Sequence, residues 1–536
     1  MRRAVRGIGG EVSPWWESAV VYQIYPRSFA DADGDGVGDL AGIAARLEHL
    51  AWLGVDAVWL SPFYRSPMRD FGYDIADHAD VDPIFGTLAD FDALIARAHA
   101  LGLKLIVDYV PNHTSSDHPW FLASRSSRED PKRDWYVWRD PATGGAPPNN
   151  WVSIWGGPAW AWDAATEQYW LHIFLEEMPD LNWRNPAVRA AMFDVARFWL
   201  DRGVDGFRID VALYVAKDPE LRDNPPASGG QLSFHKEFGA WDAQAHVHDH
   251  AHPDAHEIWR DFRALLEAAP PPERVSIAEV HVFDPVEWAQ WFGASLDEFH
   301  LPFNFSLLRA PWDAVAIAEI VRGFEAALPA GAWPNWVLGN HDEPRIASRV
   351  GPEADRLAML LLLTLRGTPT LYYGDELGMP DVPVPLERMH DPQARIDPAL
   401  SRDPQRSPML WEPGGGHGFT AAGVQPWLPF APGADALSVA RQRDDPRSML
   451  SFTRALLAAR RASPALTHGE WAALDAPAGV LAYRRWSGGD ERVVLLNLSD
   501  TEQHVPLPGD WEAEVATGRG ARLGPREGLL LRPRIG

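Results

Sequence analysis

Four acidic residues stand at the ends of short apolar runs. Asp108 closes Leu103-Lys104-Leu105-Ile106-Val107 and Asp210 closes Gly206-Phe207-Arg208-Ile209. Glu279 closes Val275-Ser276-Ile277-Ala278, and Asp342 lies in Gly339-Asn340-His341-Asp342-Glu343, just after Asn335-Trp336-Val337-Leu338. One acidic residue after a strand is most often a helix cap. Several at the same end of one sheet suit glycosidic cleavage, in which one carboxylate attacks and one carboxylic acid protonates the leaving oxygen. Further acceptors can bind sugar hydroxyls. Arg208 precedes Asp210 by two residues, so on a strand both side chains share a face. A guanidinium there would keep Asp210 ionised and oriented, as a nucleophile requires.

The elements that must hold these groups alternate. Val20 to Tyr25, Ala57 to Leu60, Leu103 to Asp108, Gly206 to Asp210, Val275 to Glu279, Phe303-Asn304-Phe305, Asn335 to Gly339 and Thr370 to Tyr373 read as strands. Apolar residues at helical spacing over 40–53, 91–101 and 188–200 read as helices between them. This rhythm predicts βαβ units and a parallel sheet, and eight strands predict a (β/α)₈ TIM barrel with its site at the C-terminal strand ends. Residues 1–113 would form the first part of the barrel. An insertion rich in Trp, Pro and Gly, 114–180, would follow the third strand. Residues 181–463 would complete the barrel, with a Pro-rich loop subdomain over about 374–447. The pattern changes beyond Pro464, where 464–536 predicts a small antiparallel β domain.

Composition narrows the partners. The 536 residues carry 49 Lys+Arg against 74 Asp+Glu, a formal charge of −25. Such a chain repels phosphate backbones and anionic lipid, so neither nucleic acid nor a membrane surface is expected as partner. There is no cysteine, which removes disulfides, thiolate metal sites and a thiol nucleophile, and fits a cytoplasmic location. The basic stretch 1–10 is not followed by a signal-peptide core, and no run reaches the ~18 apolar residues of a membrane helix. The 26 Trp serve chiefly for packing, with sugar stacking as the other common use. Nothing in the sequence indicates an oligomeric state.

With these segments in view, the chain resembles the alpha-amylase family of glycoside hydrolases, in its alpha-glucosidase and oligo-1,6-glucosidase branch. The resemblance runs from about Trp15 to the C-terminus. It rests on Asp108 to His113, Gly206 to Asp210, Glu279 and Asn340-His341-Asp342, with a fifth signature, Met178-Pro179-Asp180-Leu181-Asn182, at the end of the insertion, five in order and each on the expected element. It implies Asp210 as nucleophile, Glu279 as general acid/base and Asp342 as transition-state stabiliser. It also implies that His113, Arg208 and His341 contact the first sugar, with Asp70 and Tyr73 of Asp70-Phe71-Gly72-Tyr73-Asp74. Arg402, in Ser401-Arg402-Asp403, would close the pocket, and Phe174 would line it. A small oligosaccharide is the expected substrate, cleaved by an exo-acting retaining alpha-glucosidase. A sucrose isomerase or trehalose synthase would share every catalytic residue; a non-catalytic transport-associated protein of this fold would have a membrane helix and lack the acids. Linkage preference stays open, because Met178 replaces the Gln usual in oligo-1,6-glucosidases while Val211 is the residue type linked to α-1,6 bonds.

Asp31-Ala32-Asp33-Gly34-Asp35-Gly36-Val37-Gly38-Asp39 spaces its aspartates like the start of a calcium loop. The expected ligands of a structural Ca²⁺, or Mg²⁺, are Asp31, Asp33, Asp35, the Val37 carbonyl and Asp39; the resemblance implies the same ion. Gly42 at the twelfth position excludes an EF-hand. No organic cofactor is expected. His246, His248, His250, His252 and His256 read as an exposed lid rather than a metal site. Finally, Asp210 and Asp342 should raise the pKa of Glu279 enough for it to act as an acid.

Overall fold

A computed structural model describes residues 13–228, 238–518 and 523–534; the basic stretch 1–10 lies outside the described residues. Eight parallel strands form one sheet: β1 (Val21–Ile24), β2 (Ala57–Leu60), β3 (Lys104–Tyr109), β4 (Gly206–Ile209), β5 (Val275–Ala278), β6 (Leu301–Pro302), β7 (Asn335–Val337) and β8 (Thr368–Tyr372). Their order is β6-β5-β4-β3-β2-β1-β8-β7, so β1 pairs with β8 and the sheet curls almost into a closed barrel. Most barrel residues are buried on both faces, which is why these strands read as apolar runs rather than alternating ones.

Helices follow the strands: α1 (Leu40–Leu53), α2 (Leu88–Ala100), α3 (Pro186–Asp201), α4 (Asp254–Ala268), α5 (Pro285–Gln290), α6 (Ala314–Ala327), α7 (Asp355–Thr364) and α8 (Met449–Ala462). Their starts are encoded locally. The Asp39 carboxylate accepts from Gly42 N at α1, and Thr87 and Asp90 form a capping box at α2. Asn185 caps α3 with Pro186 in its first turn.

One expected strand shifts. Phe303-Asn304-Phe305 is not β6, which is Leu301–Pro302. Phe303 N still bonds Ala278 O at 2.8 Å, but the Asn304 side chain turns back to accept from Ser306 N at 3.0 Å and starts a short helix.

Segment 114–180 carries a three-stranded antiparallel sheet of Trp138–Arg139, Gln168–Leu171 and Trp160–Asp163. A His113–Asp180 bridge brings its ends together at the barrel rim. The C-terminal sheet has five antiparallel strands, β9 (Glu470–Ala473), β10 (Val480–Ser487), β11 (Asp490–Asn497), β12 (Trp511–Ala516) and β13 (Gly528–Pro533). It is locked to the barrel by buried bonds, including Arg485 Nη1 to Thr364 O (2.7 Å). No helix among the described residues is long and apolar enough to cross a membrane. Packing accounts for many of the tryptophans: Trp59, Trp151, Trp183, Trp199, Trp241, Trp259, Trp288 and Trp336 are fully buried.

Candidate active site

The acidic residues converge where the strands end. Arg208 on β4 is the hub. Its Nη1 donates to Asp108 Oδ1 (2.9 Å) and Asp210 Oδ1 (2.8 Å), and its Nη2 to Glu279 Oε2 (2.6 Å). One buried guanidinium thus ties three strand ends, with the Trp59 ring 5.0 Å from its centre. The Asp210–Arg208 spacing produces the expected shared face. The backbone then turns sharply: Val211 takes φ 36°, a left-handed conformation rare for a β-branched residue. The turn aims Val211 N at Glu279 Oε2 (3.1 Å), and that bond helps hold a backbone conformation costing roughly 1–3 kcal/mol.

A second hub comes from the segment after β8. Arg402 Nη2 donates to Asp70 Oδ1 (2.5 Å) and Asp391 Oδ1 (2.8 Å), and Nη1 to Asp342 Oδ1 (3.0 Å). Arg406 Nη2 adds a 3.0 Å bond to the same Asp342 oxygen, and its Nε donates to His341 O (2.8 Å). Beneath lies a hydrogen-bond chain. Gln23 Nε2 donates to His341 Nδ1 (2.8 Å), so His341 Nε2–H faces Tyr73 OH (2.8 Å), and Tyr73 OH donates to Asp108 Oδ2 (3.2 Å). Tyr73 and His341 stack with centroids 5.4 Å apart. Asn112 Nδ2 donates to His113 Nδ1 (3.1 Å) and is itself held by Lys217 and Asp180.

These groups line one cleft. Asp210, Glu279 and Asp342 reach it, as do Asp70, Tyr73, His113, Phe174 and Arg402. Arg208 and His341 do not; they stand behind the lining, buried against the carboxylates and Tyr73. Val211, Met178 and Phe238 form part of an apolar wall, and Trp155 lies under Arg402 with its ring 4.9 Å from the guanidinium.

Electrostatics sorts the carboxyl groups. Burial raises Asp70 and Asp108 to about 6 even against Arg402 and Arg208 respectively. Burial opposes ionisation of Asp342 too, but His341, Arg402 and Arg406 together hold it below the usual carboxylate range. Burial lowers His113 and His341 to about 3, so both are neutral. The pair that matters most reverses the expectation. Burial and the charges of Glu279 and Asp108 push Asp210 up, with Arg208 pulling the other way. Burial also disfavours the Glu279 carboxylate, yet Arg208 and His281 outweigh it and hold Glu279 down. The reason is geometric: the second guanidinium nitrogen of Arg208 reaches across to β5, and His281 Nε2 lies 2.7 Å from Glu279 Oε1.

The sequence reading missed three contributors. Arg406 and Asp391 complete the second hub, and His281 touches the acid. Glu279 and His281 have the same two-residue spacing as Arg208 and Asp210, and that signal would have found it.

The acidic loop after β1 gathers Asp31, Asp33 and Asp39, whose carboxylate oxygens lie within 4.8 Å of one another. Three hard oxygen donors at that separation fit a calcium- or magnesium-type ion. Asp35 is not gathered with them; its Oδ1 accepts from Val37 N at 2.7 Å and the side chain faces solvent. The loop is clasped from the segment after β8: Thr420 Oγ1 donates to Asp31 Oδ2 (2.5 Å), Asp31 N to Phe419 O (2.8 Å) and Trp427 N to Gly36 O (3.0 Å). At Gly36, φ 93°, a Cβ would lie 2.3 Å from Gln425 O, so only glycine fits. Each lid histidine pairs with a carboxylate, for example His250 with Asp249 and His256 with Glu298. His246 departs from the expected exposure: its ring is buried on Trp241 at 3.5 Å, between Asp249 and Trp241 O.

Known proteins agree with this geometry. Residues 23–469 match the alpha-amylase catalytic domain. A probable alpha-glucosidase of Rhizobium meliloti is 44% identical over 511 residues, covering 92% of this chain and 91% of that one. An oligo-1,6-glucosidase of Parageobacillus thermoglucosidasius is 36% identical, covering 92% of each. Among solved structures, an alpha-glucosyl transfer enzyme superposes with TM-score 0.91 at 41% identity, covering 98% of this chain and 100% of that one. The trehalulose synthase of Pseudomonas mesoacidophila gives 0.88 at 32%, covering 97% of this chain and 100% of that one. Barrel, acidic strand ends and relatives converge: this chain belongs to the alpha-amylase family and is a glycoside hydrolase.

Proposed function

We propose that the enzyme removes single glucose units from the non-reducing ends of short α-glucosides, with retention of configuration. The observation that carries this reading is Arg402, which bonds both Asp70 and Asp342 in the cleft lining and would close that end. A blind end admits a chain terminus, not the middle of a polymer. Asp70, Asp342 and His113 would hold the hydroxyls of the terminal glucose, with Tyr73 and Phe174 against its faces.

Asp210 would attack the anomeric carbon while Glu279 protonates the departing oxygen, giving a glucosyl ester on Asp210 and a free sugar. Glu279, now a carboxylate, would take a proton from water as that water displaces Asp210. Arg208 stabilises the carboxylate that Asp210 becomes again. The same ester could pass to a sugar hydroxyl instead, and the likeness to an alpha-glucosyl transfer enzyme supports that outcome as the alternative. Products from maltose and sucrose distinguish the two. The deciding experiment for the blind pocket is early product analysis: maltotriose should give only glucose and maltose, and soluble starch should be cut slowly. Rapid internal cleavage of starch into mixed oligosaccharides would overturn the reading.

The ion loop belongs to the same proposal. Asp31, Asp33 and Asp39 would hold a divalent cation that stabilises the fold and takes no part in the reaction. A cytoplasmic location is the reading that the absence of cysteine supports.

A further inference from the structure

Glu279 presents a problem. Its Oε2 is taken up by two donors, Arg208 Nη2 at 2.6 Å and Val211 N at 3.1 Å. Only Oε1 remains to protonate a leaving oxygen, and an arginine-bound carboxylate gives no proton of its own. The group touching Oε1 is His281, with Nε2 at 2.7 Å. That distance requires a hydrogen between the two atoms. His281 lines the same cleft, and its side chain is 17% exposed, so it exchanges protons with solvent. Its ring stacks on Phe305 at 4.8 Å and 23°, a face that favours a cation.

We propose that His281 is a positioning residue that stores the proton Glu279 spends. In this proposal the pair shares one proton across the 2.7 Å contact in the free enzyme, carried on Nε2 as an imidazolium beside the carboxylate. When substrate fills the cleft and expels water, the ion pair loses its solvation. The proton then crosses from Nε2 to Oε1, leaving neutral imidazole and a carboxylic acid. Charge and proton count are unchanged by the transfer. The C1–oxygen bond then breaks as Oε1 gives that proton to the leaving oxygen. Water returns a proton to Glu279 in the second step, and product release restores the ion pair. The other charged groups facing Glu279 are Arg208 on β4, Asp210 just past it, Asp108 on β3 and Asp342 after β7, while Arg309 and Glu343 share the cleft wall with His281. None of these others is within hydrogen-bonding reach of Oε1 in the structure, so none can replace the histidine at that oxygen.

This rests on the proposed hydrolysis, and the test separates the two. His281→Phe keeps the stack on Phe305 and removes the proton; His281→Gln keeps a donor that cannot be given up. Maltose needs an acid for its leaving sugar, whereas α-glucosyl fluoride releases fluoride without one. Both variants should lose at least about tenfold in kcat/KM on maltose, within the ~10²–10⁴-fold that a positioned acid supplies, and at least tenfold less on the fluoride. The high-pH limb of kcat/KM for maltose should move toward acid, because Glu279 must then bind its proton alone. Equal losses on both substrates, an unmoved limb, or full recovery in His281→Gln would each overturn the proposal. A wild-type enzyme inactive on both substrates would instead remove the hydrolytic reading, and this one with it.

Discussion

Replacing Arg402 by lysine isolates what the fork of its guanidinium does. Arginine reaches three carboxylates at once: Asp70 at 2.5 Å, Asp391 at 2.8 Å and Asp342 at 3.0 Å. A lysine keeps the charge but offers one nitrogen, which cannot span the same three oxygens. It would stay with Asp391, the partner contacted by both Nε and Nη2. The bonds to Asp70 and Asp342 would be lost. Charge-assisted hydrogen bonds contribute about 1.5–3 kcal/mol each, so two at the lower end amount to about 3 kcal/mol. That is a ~100-fold loss in kcat/KM, since about 1.4 kcal/mol is a factor of ten. Because Asp70 would be loose in the free enzyme and Asp342 held by Arg406 alone, KM should rise as well as kcat fall. Glucose release from maltose, followed by a coupled assay beside a thermal melt, measures this. If Arg402→Lys keeps kcat/KM within fivefold of wild type, the fork does not organise the pocket and the blind-end argument fails.

Other outcomes follow from the same geometry. Glu279→Gln should lose at least about 10³-fold in turnover on maltose while its melting temperature stays close to that of wild type; near-normal turnover would remove Glu279 from its role. Proton NMR of the first product should show α-glucose, since Asp210 and Glu279 share one guanidinium, an arrangement suited to the shorter separation that retention needs; β-glucose appearing first would refute retention. Chelation should lower the melting temperature, because an ion at a hundredfold excess over its Kd contributes about 2.7 kcal/mol to the folded state alone. The initial rate at 25 °C should change less than about twofold, and an unchanged melting temperature would count against an ion among Asp31, Asp33 and Asp39.

The barrel was legible because burial on both faces turns each parallel strand into an apolar run, and caps such as Asp39 and Thr87 mark the helices between. Asp210 and Glu279 were legible for a related reason: a side chain at a strand end must emerge at the barrel mouth. β6 was misplaced because Phe303 and Phe305 look like strand residues, whereas Asn304 decides the backbone by bonding to Ser306. Reach across space was not legible. Nothing local to Arg208 reveals that it bridges to Glu279 as well as to Asp210, so its pull on the Glu279 carboxyl was not legible. Asp35 alternates with Asp31 and Asp33 as a ligand would, yet its own turn captures it. Arg406 and Asp391 gave no signal, because their partners lie on other loops.

The bond between Asp70 and Arg402 joins residues 332 positions apart, and β1 finds its neighbour only at β8, where Val21 pairs with Thr370. A ribosome must therefore make about 400 residues before the sugar pocket can exist. Until residue 370 emerges, the first strand has an unpaired edge, the arrangement that invites pairing with other chains. Every nascent copy passes through this vulnerable stage. Slowed translation before β8 should thus lower the soluble yield more than slowed translation after it, even though the finished protein is the same.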